Sequence, residues 1–379
     1  MEVGLLVPDL MLIDRVKKLC APPGSGWAVS KAGVAPLATR FHEAAFGSSD
    51  ASAVRAAWLA SMEKSRLPDV GIIGVPYEGG TYGLGGAAGG PLGVRAALGG
   101  AQWRTVAERC LDMGDVPFFP GVPLDEMLAA EVVGHAKAAR YGSSVSELPV
   151  CMLSIHRTIA RLAASAGMRV LSLGGDHSIS ASAMTGLMTS RELAGVGLVH
   201  IDQHDDLSTG RDGLELLHSA WIHYVDRNTP LALVVQLGVP DVPAPEWIRP
   251  RLRRMTGRLL ADPIAAADAA AEWLSEAGVS HAYLSIDIDA VESSAASATG
   301  LPAAEGLTVD HLVRFIERLS FNMVIAGADL VEIAPPLSGR RDWEGEATCL
   351  SGSRLALAMV CALARDRAHS AECCPETPG

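Results

Sequence analysis

Short apolar runs alternate with stretches of helical periodicity along most of this chain. Six runs without polar alternation predict strands buried on both faces, at residues 70–75, 169–174, 196–202, 231–239, 281–289 and 323–333. Helical periodicity between and after them predicts helices at 152–166, 179–193, 264–277, 308–319 and 351–365. This order predicts an α/β domain whose parallel sheet is covered by helices on both sides.

The two ends of the chain lack this pattern. Residues 1–66 carry Pro and Gly punctuation and one amphipathic stretch near 50–65, so we expect an irregular N-terminal extension that wraps the core and contains one helix. We expect residues 67–366 to form the main domain. The tail at 367–379 has no apolar periodicity and is predicted to be disordered.

Composition narrows the class of protein. A net charge of −12 argues against nucleic-acid binding, which needs a positive surface, and suits a small cationic substrate. Seven scattered cysteines without a CxxC pair indicate neither a disulfide framework nor a zinc ribbon. The sequence shows no basic leader and no apolar run of about 18 residues, so we expect a cytoplasmic protein that does not contact a membrane.

Polar clusters interrupt the pattern at three predicted strand ends: GGDHS at 174–178, DQHDD at 202–206 and DID at 287–289. Because the carboxyl ends of parallel strands meet at one edge of the sheet, these clusters are expected to converge. Alternation along an extended segment would turn 202, 204 and 206 to one side. The candidate metal ligands are His177, Asp202, His204, Asp206, Asp287 and Asp289.

Four buried carboxylates would repel one another unless positive charge lay among them, and two divalent cations would supply it. Oxygen-rich ligation with two imidazoles and no thiolate favours Mn²⁺, with Ni²⁺ the other possibility. Paired cations can also activate a water as a nucleophile. A single Asp such as Asp176 is more typical of a cap or turn, but three matching clusters favour the metal site.

These segments resemble the ureohydrolase family, which includes arginase, agmatinase, guanidinobutyrase and guanidine hydrolase. The resemblance covers about 70–365 and rests on GVPYEGGTYGLGGAAGGPLGVRAAL (74–98), LGGDHSIS, VHIDQHDDL, SIDIDA followed by TGLPAAEGLT, and LVEIAPPL (330–337). It implies a three-layer α/β/α fold with a parallel eight-stranded sheet, a trimeric or hexameric homo- or hetero-oligomer, and hydrolysis of a guanidino compound to release urea.

The resemblance also implies roles for single residues. One metal would bind His177, Asp202, Asp206 and Asp287, and the other His204, Asp202, Asp287 and Asp289, so that Asp202 and Asp287 bridge. Glu332 would pair with the guanidinium of the substrate, unless it forms a salt bridge within the protein. His218 would transfer a proton to the leaving amine, which suits an imidazole, unless it is a packed core histidine.

Departures from the family pattern bear on the substrate. Gln203 replaces a small residue, Asp205 adds a carboxylate that we expect to contact substrate, and Ser219 replaces the glycine after His218. Pro243 stands where arginase-like chains hold the α-amino group with a carboxylate, which argues against arginine. Guanidine, agmatine, a guanidino acid and a substituted biguanide such as metformin remain open.

Two other hypotheses for the function fit parts of the sequence. A deacetylase of related fold would hydrolyse an amide with one zinc ion. A non-catalytic subunit would keep the fold and pair with an active relative in a mixed oligomer, and the altered segment at 290–298, with Glu292 and Ser293, keeps this reading open.

Overall fold

Eight parallel strands form one sheet in the computed structural model, which describes residues 7–25, 35–63, 66–99, 106, 109–189, 195–339 and 346–365. The strands are β1 (Val70–Val75), β2 (Cys110–Asp115), β3 (Arg169–Gly174), β4 (Gly197–Ile201), β5 (Val234–Leu237), β6 (Leu252–Arg254), β7 (His281–Asp287) and β8 (Val324–Val331). Their order across the sheet is β2-β1-β3-β8-β7-β4-β5-β6, with every pair parallel.

Helices cover both faces of this sheet. They are α1 (Val7–Leu19), α2 (Ala35–Phe46), α3 (Ala51–Ser61), α4 (Gly90–Ala97), α5 (Ala130–Tyr141), α6 (Met152–Ser165), α7 (Ile179–Met188), α8 (Trp221–Asn228), α9 (Gly257–Ala261), α10 (Pro263–Glu276), α11 (Val309–Asn322) and α12 (Ala347–Ala364). The buried side chains of α4, α10, α11 and α12 form one apolar cluster, and those of α1, α6, α7 and α8 form another. Alternate strand residues such as Ile72 and Ile73 enter opposite clusters, so the predicted three-layer α/β/α fold is confirmed.

All six predicted strands are present, each within two or three residues of the predicted bounds. The two remaining strands lie at the edges of the sheet. Edge strand β2 carries two acidic residues, and β6 is three residues long with two arginines, so neither shows the apolar run of a buried strand.

The prediction of irregular backbone for the N-terminal extension is wrong in its described part. Helices α1 and α2 precede the expected helix α3, and Leu12, Val16 and Leu19 of α1 are fully buried. The segment after α1 bonds to the edge of the sheet, where the Gly24 N–H donates to Asp115 at 2.7 Å. The domain boundaries stay a prediction, and the tail at 367–379 lies outside the described residues.

Helix α12 is long and apolar enough to span a membrane by length and composition. In the fold it belongs to the core, since 61% of the helix is buried and side chains such as Leu355, Met359 and Leu363 pack under the sheet. Burial inside the protein therefore accounts for its composition.

Candidate metal centre and active site

Four neighbouring strands bring the predicted site residues to one place. In the order β3-β8-β7-β4, His177 follows β3 by three residues, Glu332 follows β8, Asp287 ends β7 and Asp202 follows β4. All four lie at the carboxyl ends of the strands, as predicted for a parallel sheet. The clusters that are distant in sequence therefore converge.

Three carboxylates surround one nitrogen of His177. Its Nδ1 lies 3.2 Å from Asp202 Oδ2, 3.0 Å from Asp206 Oδ2 and 3.3 Å from Asp287 Oδ2. On the other side of the ring, Nε2 bonds at 2.8 Å to the Ser285 hydroxyl, which itself donates to a carboxylate and so accepts from the imidazole. Nδ1 has no hydrogen-bond partner, and its lone pair and the carboxylate oxygens all point inward. A cation fits this arrangement.

A second group of candidate metal ligands adjoins the first. His204 Nδ1 lies 3.4 Å from Asp202 Oδ1 and 3.0 Å from Asp289 Oδ2. Asp202 thus presents one oxygen to each histidine, as expected of a bridging ligand. Asp287 directs Oδ2 to His177, while its Oδ1 accepts the backbone N–H of Asp289 at 2.9 Å. The structure brings all six predicted ligands together; that they bind metal stays a prediction.

Electrostatics favour positive charge at this site. Burial raises the pKa of Asp287 well above its usual range, and the charges of Asp289 and Asp202 raise it further. Burial and the charge of Asp202 likewise raise the pKa of Asp289 to about 7. Carboxylates in this position are fully ionised near neutral pH only if cations lie between them.

The segment 202–206 is not extended, so the predicted alternation there is wrong. Strand β4 ends at Ile201, and Asp206 adopts a left-handed conformation with φ of 49°. The turn nevertheless directs the Asp206 carboxylate to His177, where the indole N–H of Trp221 donates to it at 2.9 Å. Backbone strain of this kind persists only where surrounding contacts hold it.

A row of polar residues crosses the sheet beneath the site. Each of six adjacent strands contributes one, and register pairs them in the order Ser172, Asp329, Ser285, His200, Gln236 and Arg254. Sequence reasoning missed this row, although Ser172, Asp329, Ser285, His200 and Gln236 each interrupt a predicted apolar run and could have revealed it. Buried polar groups need partners, so such a residue marks an interaction.

Hydrogen bonds along this row orient two candidate ligands. Arg254 Nε donates at 2.9 Å to Gln236 Oε1, and Gln236 Nε2 donates at 3.1 Å to His200 Nδ1. His200 Nε2–H can then donate at 3.0 Å to Asp202 Oδ2. On the other side, the Ser285 hydroxyl donates at 2.7 Å to Asp329. The row thereby fixes Asp202 and, through Ser285, the ring of His177.

Glu332 lies beside the metal candidates with a strained backbone, φ 61°. Its Oε1 accepts the His177 backbone N–H at 2.9 Å, and His218 Nδ1 lies 3.7 Å from the same oxygen. Within the described residues no lysine or arginine pairs with Glu332, so the alternative of an internal salt bridge with one of them is not observed there. Burial opposes protonation of His218, but Glu332, aided by the charges of Asp206 and Asp176, outweighs it and raises the pKa of His218.

Asp205 and Asp176 have protein partners. Asp205 Oδ2 lies 3.4 Å from Arg254 Nη2, so its charge is partly neutralised although it lines the site. Asp176 accepts the backbone N–H groups of Gly80 and Thr81 at 2.7 and 3.0 Å and therefore anchors the Gly-rich loop, which agrees with its interpretation as a turn residue.

One cavity of about 820 Å³ joins these groups to solvent. The predicted site residues that line it are His177, His204, Asp205, Asp206, His218, Asp287, Asp289 and Glu332, while Asp202 lies fully buried behind them. The arrangement can hold cations at its base and a small cationic substrate against Glu332.

Fold and site together define a three-layer α/β/α domain with a cluster of candidate metal ligands at the carboxyl ends of its strands. The family model described as "Arginase family" matches residues 68–361. The chain belongs to the arginase family.

The names of relatives in this family describe enzymes that act on guanidino compounds. The chain is 29% identical over 318 residues to the mitochondrial agmatinase of Gallus gallus, covering 78% of this chain and 81% of the relative. It is 29% identical over 306 residues to the mitochondrial guanidino acid hydrolase of Homo sapiens, covering 78% of each. The solved proclavaminate amidino hydrolase of Streptomyces clavuligerus shares the fold, with a TM-score of 0.60 at 22% identity over 80% of this chain and 94% of that one.

Proposed function

We propose that this protein is a ureohydrolase that binds two divalent metal ions, Mn²⁺ or Ni²⁺, and cleaves a C–N bond of a small guanidino compound to release urea. One observation carries the proposal: the buried Nδ1 of His177 has no hydrogen-bond partner and faces three carboxylate oxygens within 3.3 Å. Unless a metal ion or a proton on Nδ1 lies among them, a lone pair and three negative charges would oppose one another there.

His177, Asp202, Asp206 and Asp287 would hold one ion, and His204, Asp202, Asp287 and Asp289 the other. Paired divalent ions lower the pKa of a shared water and so supply a nucleophile near neutral pH. All six residues lie on the inner side of the cavity or directly behind it.

Glu332 and His218 would act on the substrate. The carboxylate of Glu332 would bind the guanidinium and orient its carbon toward the six candidate ligands. His218, 3.7 Å from Glu332, would donate a proton to the departing nitrogen, which leaves as ammonia or an amine. Its raised pKa keeps the imidazolium available at neutral pH.

The names of the relatives support a guanidino substrate, since agmatinase and guanidino acid hydrolase both act on this group. Pro243, exposed near the cavity residue Val242, offers no carboxylate for an α-amino group, which argues against arginine. We further propose that the protein is cytoplasmic and that it assembles as a trimer or hexamer. Native mass spectrometry of the purified protein would test the oligomeric state.

Metal content and urea release measured on the same samples test the proposal. The chain alone, loaded with Mn²⁺ or Ni²⁺, should bind two ions per protomer and release urea from at least one member of a panel of guanidino compounds. Asp202→Asn should lose both properties, whereas Asp14→Asn, a surface change beside Lys18, should keep both.

Other results would contradict it. A single bound zinc ion with amide hydrolysis would indicate a deacetylase. Full metal loading with no urea from any guanidino compound would indicate a non-catalytic subunit. Asp202→Asn at wild-type rate would exclude the assigned site.

A further inference from the structure

The mouth of the cavity differs sharply in chemistry from its base. Four large apolar side chains line the outer part: Tyr82, Leu84, Val242 and Leu301, with 59, 65, 41 and 60% of their surface exposed. Exposed apolar groups gathered at the entrance to a charged site are typical of a surface that contacts a ligand.

Contacts with the site hold this rim in place. The Tyr82 ring packs edge-on against His218 at 4.6 Å, and its hydroxyl donates at 3.2 Å to Ser219. At another point of the rim, Gln203 Nε2 donates to the backbone carbonyl of Leu301. These contacts hold Tyr82 and the backbone of Leu301 beside the path that a substituent of the guanidino group would take.

Among the described residues outside the inner cluster, none that lines this path offers a charged substituent a free counterion. Asp205, the acidic lining residue outside the inner cluster, is already paired with Arg254. No lysine or arginine is among the described residues that line the cavity. Arg211 stacks over Tyr82 at 5.3 Å, but outside the cavity lining, and it pairs with Asp212 at 3.6 Å. Desolvating an ammonium or a carboxylate without a partner is costly.

We propose that the substrate is an N-substituted guanidine whose substituent is neutral and apolar. This inference rests on the proposed function and specifies its substrate class. Water adds to the guanidino carbon, the bond to the substituted nitrogen breaks, and that nitrogen takes up a proton, so the products are urea and an apolar amine. The apolar rim binds the substituent, while Glu332 binds the guanidinium.

Three guanidines with four-carbon substituents test this: butylguanidine, agmatine and 4-guanidinobutyrate, which end in a methyl group, an ammonium and a carboxylate. Urea release by the metal-loaded protein should give a kcat/KM for butylguanidine at least about tenfold above either charged compound, since several methylene groups are buried without a charge to desolvate. A higher kcat/KM for agmatine or 4-guanidinobutyrate overturns the inference.

Substitution at the rim should change this preference in a predictable direction. Leu301→Asp should raise kcat/KM for agmatine relative to butylguanidine about tenfold, and Leu301→Lys should do the same for 4-guanidinobutyrate. Val145→Asp places the same charge on an apolar residue that is 86% exposed and outside the cavity lining, so it should leave the ratios unchanged. If the Leu301 variants and the wild type give equal ratios of kcat/KM between the charged compounds and butylguanidine, the rim does not bind the substituent.

Binding separates this inference from the proposed function. If none of the three compounds releases urea, the proposed hydrolysis fails for this class of compound. Calorimetric titration of the metal-loaded protein with the same compounds then tests separately whether the rim binds an apolar substituent. Tighter binding of butylguanidine supports an apolar site, and tighter binding of either charged compound overturns it.

Discussion

The indole N–H of Trp221 donates a 2.9 Å hydrogen bond to Oδ2 of Asp206, the same oxygen that lies 3.0 Å from Nδ1 of His177. Trp221 is fully buried, and its ring packs 5.0 Å from that of His177. One side chain thus supports two candidate ligands, and it holds the left-handed turn at Asp206 in position.

Replacing Trp221 with Phe should therefore weaken metal binding while the fold remains. The phenyl ring keeps most of the packing but cannot orient Asp206, and loss of such support lowers metal affinity about 10- to 100-fold. Metal titration measures this. Trp247→Phe is the matched control, because the indole nitrogen of Trp247 has no hydrogen-bond partner. Wild-type affinity in Trp221→Phe would show that the hydrogen bond is dispensable.

Replacing His218 with Ala should reduce kcat by about 10² to 10⁴, the usual contribution of a general acid, without loss of metal. The protonated ring is the active form and its pKa is raised, so wild-type activity should fall as pH rises through that pKa, above the ordinary value near 6.5. The pH–activity profile of the variant should lack this decrease at alkaline pH. Loss of metal from the variant would instead identify His218 as a structural residue.

Buried Arg95 joins helix α4 to edge strand β2. It bonds to Asp112 at 2.9 Å and to Asp115 at 2.6 Å, and its side chain is completely buried. Arg95→Met leaves two buried carboxylates without their cationic partner, so the free energy of unfolding should fall by about 3 to 5 kcal/mol. Chemical denaturation measures this change.

The matched control for Arg95 is Arg318→Met, which breaks a pair with Asp268 that lies at the surface. It should change stability little, because exposed ion pairs contribute weakly. Equal effects of the two substitutions would refute the distinction between the buried and exposed pairs.

Buried His156 should make the fold sensitive to acid. Ser182 and Ser172 bond to its two ring nitrogens at 2.7 and 2.9 Å, and burial lowers its pKa to about 3. The unfolded chain, with a His pKa near 6.5, binds the proton more readily between these values, so stability falls as pH decreases below about 6.5. At pH 5 the loss is about 2 kcal/mol, or 1.36 kcal/mol for each of about 1.5 pH units.

His156→Gln removes this titration, so its stability loss between pH 7.5 and pH 5 should be smaller than that of the wild type by about 2 kcal/mol. Exposed His135 provides the comparison, because His135→Gln should keep the full wild-type acid sensitivity. Denaturant midpoints at the two pH values give the difference. Equal losses of stability between the two pH values in all three proteins would refute a buried neutral imidazole at position 156.

Much of the fold and the composition of the site could be predicted from the sequence. Strands such as β1 and β3 were predicted to the residue, because a strand buried on both faces is predominantly apolar along its length. The polar clusters at the strand ends were equally visible, since aspartate and histidine there interrupt an apolar pattern. These signals are local, so the sequence by itself determined the architecture and the set of candidate ligands.

Only the tertiary structure decided how these residues meet. Edge strand β2 was not recognised because the partner that neutralises its acids, Arg95, lies on a separate helix. The left-handed turn at Asp206 depends on packing around it, and the polar row from Ser172 to Arg254 depends on strand register. The pairing of Asp205 with Arg254 and the apolar rim arise from contacts between distant segments. Periodicity reports burial along one element, whereas charge pairing and cavity walls depend on which elements become neighbours.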